Sequence, residues 1–409
     1  MTEVVTPYVR TRLSPTFQKL LLSSCISNLG DGLRMTALPL LTATITRDPL
    51  AIGAVTAATM APWLLGPVGG TMVDRGDRAR LMVIGQLVRG SAAAALAAAV
   101  LTGMLDLWMV YAVAVIIGLG EVIVDSASQA VLPAVVAPHQ LEKANGQLVA
   151  GMTITGEVLG APLGGMLFAV GASIPLLVDA GTFLVAGLLL TTLRVPPRPP
   201  LDGTAEVPGF WEDVRAGLRA LWDDPVLRPM AILVGLVNVA ITAAISVLVL
   251  FALEDLGMTE GGYGFLLGVG ALGGLGGSLL ADRIRQRLGR PAALVIASVA
   301  VALGMGGLAV AVTPTAAAAA LGLVTFSGGI FNVVGRSLRQ ALVAPALLGR
   351  VIASYRVIGL GGVPIGAFLG GFLARATSIR TTMAAAAALL AVVAVGMVVT
   401  VRRIPPEHR

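Results

Sequence analysis

The sequence contains few charged residues. Asp, Glu, Lys and Arg make up only 12% of its 409 residues, while hydrophobic residues make up 56%. Soluble globular proteins average about 25% charged residues. So few charges cannot build the water-exposed surface of a protein of this length. The composition therefore excludes a soluble globular protein and predicts a chain embedded in a lipid bilayer.

Cysteine and histidine are also scarce. Cys25 is the only cysteine, so the chain can form neither an internal disulfide nor a cysteine metal cluster. His139 lies in a predicted connection and His408 in the C-terminal tail, where neither is placed for a proton relay or a metal site. The sequence has no Walker loop and no paired-histidine metal signature. We therefore expect no metal, no cofactor and no enzymatic activity.

The net charge of +6 is distributed over short segments between apolar runs. It does not form one basic face with interleaved aromatics, so nucleic acid is not an expected partner. Arg10, Arg12 and Lys19 precede an apolar stretch longer than a signal peptide core, and no A-x-A cleavage signature follows. This stretch predicts a retained membrane helix rather than a cleaved signal.

Long apolar runs dominate the rest of the chain. A bilayer core about 30 Å thick requires about 20 residues of helix. Twelve runs of this length predict twelve membrane spans, numbered here in chain order: 17–45, 51–73, 80–102, 107–131, 144–170, 173–194, 229–253, 260–281, 291–312, 315–341, 350–374 and 379–401.

The basic residues predict the orientation of these spans. One set of connections contains most of the Arg and Lys residues, whereas the opposite set contains only Arg47, Arg375 and Arg380. Cytoplasmic loops hold the excess of positive charge. Both termini are therefore predicted to lie in the cytoplasm, in a bacterial inner membrane.

The longest connection, residues 195–228, begins with a segment rich in proline and charge. Such a segment is typical of a linker, and here it separates six spans (1–194) from six (229–409). Its second part, FWEDVRAGLRALW, has the amphipathic pattern of a helix lying on the cytoplasmic membrane surface.

The two halves repeat in sequence. Asp74 in VDR matches Asp282 in ADR, and the GGML stretch at Gly164 matches GGFL at Gly370, 206 residues later. The repeat indicates a tandem duplication of a six-helix unit. The predicted fold is therefore an all-α membrane protein with twelve helices in two pseudo-symmetric six-helix bundles. In transporters built this way, the substrate site lies between the halves near the bilayer midplane.

Several motifs resemble one family. GTMVDRGDRAR at 70–80 resembles the loop motif between helices 2 and 3 of the major facilitator superfamily, although Asp77 stands where a glycine is usual. A second copy, GSLLADRIRQRLGR, occurs at 277–290. NLGDGLRMTALPLL, AVLPAVVAPHQLEKANGQL and RQALVAPALLGRVIASYR resemble its drug and siderophore exporter branch. The resemblance covers nearly the whole chain and implies secondary transport.

The resemblance also implies roles for particular residues. It implies that Asp74 meets the N-terminus of span 11, that Asp125 pairs with Arg78, and that these contacts form a cytoplasmic gate with Gly70 and Arg75. An ordinary loop salt bridge is the alternative for Asp74. GEVLGAPLGG in span 5 is similar to an antiporter motif of efflux members, and we assign its small residues to close helix packing: Gly156, Gly160, Pro162, Gly164 and Gly165.

Ionisable residues inside the spans are candidates for mechanism, because each costs at least about 2.5 kcal/mol to insert. All five embedded acids lie in the first half, so protons that drive transport would bind there. Burial favours the neutral form of a carboxylate, which can then exchange a proton. The second half offers arginines and amides. The candidates are Asp31, Arg34, Arg89, Glu121, Asp125, Glu157 and Asp179, with Asn238, Asn332, Arg336 and Arg356 in the second half.

Alternatives remain open for most of the acids. Asp31 either forms a structural pair with Arg34 or binds substrate or protons. Glu121 either exchanges protons or forms an ion pair with Arg89 or another arginine. Glu157 either lines the cavity or packs against Arg356 of the second half. For Asp179 we favour a structural hydrogen-bonding role.

Together these features predict a monomeric, proton-coupled exporter of a small apolar or cationic molecule that works by alternating access. Its expected partners are substrate, protons and lipid, and the proton gradient supplies the energy. Two alternatives remain: a proton-coupled importer or facilitator, and a membrane receptor or partner subunit that does not transport.

Overall fold

The computed structural model describes residues 13–193, 218–219, 221–343 and 348–405. For a few residues in these ranges, including Asp74, Arg75 and Arg356, only the backbone is described. All regular secondary structure in the described ranges is helical. Most of the connection 195–228, with its predicted amphipathic helix, lies outside these residues. The predicted domain boundaries therefore stay a prediction.

The first half contains eight helices, which form the six predicted spans. Span 2 is interrupted by a 3₁₀ turn at Ala61–Leu65, and span 5 contains a π-helical segment at Thr153–Gly160. The helices are α1 (Pro15–Ile45), α2 (Pro49–Met60), α3 (Gly66–Arg75), α4 (Arg78–Leu101), α5 (Leu107–Val135), α6 (Leu141–Met152), α7 (Ala161–Val170) and α8 (Ile174–Thr191).

In the described part of the second half, five α-helices are longer than one turn: α9 (Leu227–Ile245), α10 (Glu260–Val310), α11 (Pro314–Leu342), α12 (Leu348–Ala376) and α13 (Ile379–Val401). Span 7 continues beyond α9 to a π-helical segment at Phe251–Asp255. The long α10 contains spans 8 and 9, which are separated at Gly289. This glycine has a φ of 76°, a left-handed conformation that favours residues without a Cβ atom.

The helix bounds agree with the predicted spans to within about four residues, with one exception. Span 8 was predicted to end at 281, but the helix continues through the ADRIRQRLG stretch to the break at Gly289, so this predicted loop is wrong. Nine of the described helices are long and apolar enough to cross a membrane. Among them, α10 contains two spans. The more polar α1 and the interrupted α2–α3 segment provide the remaining two.

Polar N-cap residues define where several helices begin. Asp77 accepts a hydrogen bond from the backbone N–H of Arg80 (3.1 Å) and so caps α4. Asp77 is the residue that departs from the resembled loop motif, and the capping bond gives it a structural role there. Similar caps begin α1, α2, α5, α10, α11 and α13, at Ser14, Asp48, Asp106, Thr259, Thr313 and Ser378.

The sequence repeat is also a packing repeat. In the first half, a Cβ atom added to Gly164 would lie 2.5 Å from the carbonyl oxygen of Leu33, so span 5 packs directly on α1. In the second half, a Cβ atom added to Gly370 would overlap the carbonyl oxygen of Ala243, so α12 packs in the same way on α9. Equivalent small residues therefore hold equivalent pairs of helices together in both halves.

The buried hydrophobic residues form three clusters. The largest contains residues from both halves, including Leu41 and Phe183 from the first and Phe251 and Met305 from the second. The other two clusters lie nearer the opposite helix ends, and each belongs to one half alone. The halves therefore share a core at one end of the molecule, called the closed end here, and have separate cores at the other, the open end.

Candidate functional site

A cavity of about 400 Å³ opens inside the first half. Its walls come from α1, α2, α5, α6 and the π-helical segment of span 5. The lining combines apolar side chains with three carboxylates, Asp31, Glu121 and Glu157. Drug-sized ligands occupy pockets of about 300–1,000 Å³ that are mostly apolar with a few polar groups. The cavity has the size and chemistry of a small-molecule site.

Two arginines share one carboxylate at this cavity: Arg34 lines it, and Arg89 does not. Asp31 and Arg34 are three residues apart on one face of α1, and Nη2 of Arg34 lies 2.5 Å from Oδ1 of Asp31. Arg89 of α4 also donates to Oδ1 of Asp31. Both arginines are almost fully buried, with 4% and 1% of their surface exposed. Asp31 therefore bridges two buried cations from neighbouring helices.

Two further carboxylates surround Arg34. Oε2 of Glu121 on α5 lies 3.6 Å from Nη2 of Arg34. Oδ2 of Asp179 on α8 lies 3.6 Å from its Nε. The predicted alternative for Glu121, an ion pair with an arginine, is therefore present, but the arginine is Arg34. Together Asp31, Arg34, Arg89, Glu121 and Asp179 form what is called the charge cluster below.

The surroundings of Asp179 differ from the predicted hydrogen-bonding role. Its side chain is completely buried, yet neither carboxylate oxygen has a hydrogen-bond partner among the described residues. The predicted hydrogen-bonding role is therefore wrong. The carboxylate fits beside α1 because Gly30 lacks a side chain: a Cβ atom there would overlap Oδ1 of Asp179. Asp179 is recognisable in the sequence as an embedded acid, but its pairing with Arg34 is not.

Polar and aromatic neighbours hold Arg89 in place. Its Nη1 donates to Oγ of Ser27 (3.1 Å) and to Oε1 of Gln86 (3.3 Å). The guanidinium carbon lies 4.1 Å from the ring centroid of Phe183, a cation–π contact. Ser27 and Gln86 could not be recognised from the sequence, because uncharged polar residues give little signal within an apolar run.

The charge cluster is not electrically balanced. It contains three carboxylates and only two guanidinium groups, so with every group ionised it has a net charge of −1. Removing charges from water is costly unless they are paired. One bound proton would bring the net charge of the cluster to zero.

Glu157 differs from the other lining acids. It lies on the π-helical segment, lines the cavity, and has no ion pair or hydrogen bond to its carboxylate among the described residues. π-Helical segments are rare and occur often at functional sites. The segment packs tightly on α1, where a Cβ atom on Gly32 would overlap the carbonyl oxygen of Gly156. The alternative contact with Arg356 stays a prediction, because that side chain is not described.

The packing-motif residues of span 5 contact both halves. Gly160 and Gly164 lie against α1, as does Gly156. Gly165 faces α10 instead, where a Cβ atom would lie 2.9 Å from Cα of Gly264. Pro162 also contacts α10, 2.5 Å from a Cβ atom placed on Gly268. The motif therefore packs span 5 within its own half and against the other half.

Span 2 makes the matching contact from the other side. A Cβ atom on Gly53 would lie 3.0 Å from Cα of Gly371 on α12. The repeat aligns Gly371 with Gly165, so two pseudo-equivalent glycine crossings join the halves at the closed end. Ion pairs join Asp48 to Arg375 (3.4 Å) and Arg47 to Glu254 (3.5 Å) at the same end.

The opposite end of span 2 lacks this contact. Cβ atoms added to Gly66 and Gly70 would meet nothing within 4 Å in the described part of the chain. The predicted gate residue Arg78 donates to the carbonyl of Ala130 (2.9 Å), and Asp125 accepts from Gln129 (2.7 Å). No ion pair joins Arg78 to Asp125 among the described residues. Asp74 and Arg75 lie at the end of α3, and the contacts of their side chains stay a prediction.

Three of the second-half candidates, Asn238, Asn332 and Arg336, make no contact with the charge cluster among the described interactions. Asn238 on α9 donates to the carbonyl of Gly359 on α12 (2.8 Å) and so links two helices of its own half. Asn332 and Arg336 on α11 are exposed. No group of three or more His, Cys, Asp or Glu that could hold a metal ion occurs in the described ranges.

The architecture is that of a two-bundle membrane transporter with a buried charge cluster beside a cavity. The family model described as Major Facilitator Superfamily matches residues 20–359 and 254–409. The chain belongs to the Major Facilitator Superfamily. The predicted family and fold are thereby confirmed: the protein is a multi-pass secondary transporter and not an enzyme.

Curated relatives extend over almost the whole chain. The multidrug efflux pump Tap of Mycolicibacterium fortuitum is 26% identical over 388 residues, covering 92% of this chain and 94% of that protein. The pump of the same name from Mycobacterium tuberculosis strain H37Rv is 25% identical over 393 residues, covering 93% and 91%.

Solved transporters share the fold. A bacterial homologue of the iron transporter ferroportin, in an inward-facing state, superimposes with a TM-score of 0.76 at 19% identity, covering 96% of this chain and all of that one. The nucleoside transporter NupG superimposes with a TM-score of 0.71 at 15% identity, covering 95% and 99%.

Proposed function

We propose that the protein is a proton-coupled exporter of a small apolar or cationic molecule in a bacterial plasma membrane. The observation that carries the proposal is the charge cluster, whose surplus of one carboxylate lies beside the cavity. A proton bound to the cluster and a cationic substrate bound beside it in the cavity would each offset this surplus. Occupation of the region by one therefore disfavours the other, which is the condition for exchange transport.

The relatives support the direction of transport. The Tap proteins bear the name multidrug efflux pump, and they align with this chain over more than nine tenths of its length. Export of several compounds requires an adaptable site. Met35, Met60 and Met152 line the cavity, and methionine adapts to varied apolar shapes because it is unbranched and polarisable.

The conformation supports alternating access. The halves share a core and two glycine crossings at the closed end, and have separate cores at the open end. In the predicted orientation, the open end faces the cytoplasm and the termini lie there. Substrate would enter the cavity from the cytoplasm, and the halves would then rock to open the other end. A proton from outside would bind the charge cluster and displace the substrate.

Transport in proteoliposomes tests the proposal. Purified protein is reconstituted with ethidium as the probe, and pH gradients of either sign are imposed. We expect ethidium to move against the proton flow and to reverse direction with the gradient. Movement in the same direction as protons indicates the importer alternative. Flux that is independent of the gradient would reject proton coupling.

A further inference from the structure

We propose that Glu157 selects substrates by charge, whereas the charge cluster handles the proton. The inference rests on the proposed function. It assigns substrate binding to Glu157 and proton binding to the charge cluster. Glu157 would bind the positive group of a cationic substrate, and neutral substrates would be transported without it. The three lining carboxylates differ in whether they already have a cationic partner.

Asp31 and Glu121 cannot readily bind a cationic substrate in addition to their arginines. Arg34 lies 2.5 Å from Asp31 and 3.6 Å from Glu121, and Arg89 also binds Asp31. A positive substrate approaching either acid would also approach these guanidinium groups. Their repulsion cancels much of the attraction, because charge effects are strong where water is excluded.

Glu157 offers negative charge that no side chain in the described ranges pairs with. Among the described residues it has no ion pair and no side-chain hydrogen bond, and it lines the same cavity. It is also the most accessible of the three acids: Glu157 is exposed, while 28% of the Glu121 side chain and 17% of the Asp31 side chain are accessible. A cation entering the cavity therefore gains most by binding Glu157.

The surroundings of Glu157 fit an organic cation. Met152 and Val149 lie on the same span 5, and Met35 and Leu38 face the cavity from α1. These side chains can cover an apolar body while the carboxylate binds one positive group. The expected substrate class is an amphipathic molecule with a single amine or quaternary nitrogen, small enough for about 400 Å³.

The test compares a cationic with a neutral probe in the same proteoliposomes. Ethidium is a permanent cation, and Nile red is an uncharged apolar dye. We expect Glu157→Gln to lower ethidium transport by about tenfold or more, and to leave Nile red transport within about twofold of wild type. Glu157→Asp keeps the charge and should restore most of the ethidium transport.

Glu142→Gln is the matched control. Glu142 lies on α6 of the same span but does not line the cavity, so the variant should transport both dyes like wild type. Equal loss of both dyes in Glu157→Gln, or undiminished ethidium transport, would overturn the inference and leave the proposed function intact. Failure of the wild type to move either dye would overturn the proposed function, and the inference with it.

Discussion

At the scale of single residues, the molecule depends on charges that compensate one another within the membrane. Asp31 holds two buried arginines, and Arg34 has three carboxylates within 4 Å. Buried ion pairs add little net stability when complete, but leaving one partner unpaired costs about 3–5 kcal/mol. The cluster is therefore most sensitive to the loss of Asp31, the carboxylate that both arginines share.

Replacing Asp31 should destabilise the protein strongly. Asp31→Asn leaves Arg34 and Arg89 without their shared partner, and we expect a loss of about 3–5 kcal/mol, measured as thermal unfolding in detergent. Asp282→Asn is a matched control, because Asp282 also pairs with an arginine three residues later at 2.5 Å but is 61% exposed. That variant should lose about 1 kcal/mol or less. Equal losses would contradict the structural role of the cluster.

Replacing Asp179 should uncouple transport without unfolding the protein. Asp179→Asn removes the surplus carboxylate and leaves two acids with two arginines, as permanent protonation would. Neither oxygen of Asp179 accepts a hydrogen bond from a described residue, so none of these bonds would be lost. We expect proton-driven accumulation of ethidium in proteoliposomes to fall by about tenfold or more, while exchange without a gradient continues. Undiminished accumulation would show that the surplus charge is not needed for coupling.

The site could be predicted from the sequence only in part. Asp31, Arg34, Arg89 and Glu121 were identified because charges inside apolar runs are rare and costly. Their partners could not be assigned, because the contacts join α1, α4, α5 and α8, whose relative rotations depend on packing. For the same reason the sequence left the partner of Glu121 open between Arg89 and another arginine, and the structure shows that it is Arg34. Gly30, which admits Asp179 beside α1, gave no signal among 51 glycines.

At the scale of helices, small residues decide which spans touch. The span bounds could be predicted because each apolar run has the length that the bilayer requires. The end of span 8 could not, because its charged final turns have no apolar pattern. Two glycines four residues apart allow helices to approach closely. Gly160 and Gly164 pack on α1 in this way, whereas Gly66 and Gly70 meet nothing within 4 Å in the described part of the chain. The pattern permits close approach but does not specify the conformation in which it occurs.

A side chain placed at the glycine crossing should force the two halves apart at the closed end. A side chain at Gly165 would meet the backbone of α10, 2.5 Å from the carbonyl oxygen of Glu260. We expect Gly165→Leu to separate the halves at the closed end. The separation can be measured by electron spin resonance between labels at Met104→Cys and Val312→Cys in a Cys25→Ser background. Gly181→Leu has open space around it and should leave the distance unchanged. If the distance between the labels is unchanged in Gly165→Leu, the glycine crossing does not hold this end closed.

At the scale of the whole molecule, two repeated halves meet at one end and separate at the other. The duplication was visible in the sequence, and the structure repeats it in the packing of Gly164 and Gly370. The sequence could not show which end is closed, because both arrangements use the same spans. Asp48 and Arg375 join the halves at the closed end with partly exposed side chains. Such a pair contributes little stability, so it can open during each cycle.

A covalent link at this ion pair should stop transport. We expect Asp48→Cys with Arg375→Cys, in a Cys25→Ser background, to lose ethidium transport when treated with a short bifunctional thiol reagent, and to regain it on reduction. Each single cysteine variant should remain active under the same treatment. Full transport by the linked protein would rule out opening at this end as a step of the cycle.

The most direct test of proton coupling is proton release on substrate binding. Ethidium is added to purified protein in weakly buffered detergent solution, and a pH indicator reports released protons. The account predicts release of up to about one proton per protein in the wild type, because the cluster has one surplus carboxylate, and none from Asp179→Asn. If ethidium binds and the protein releases no protons at any pH, proton coupling through the charge cluster is contradicted.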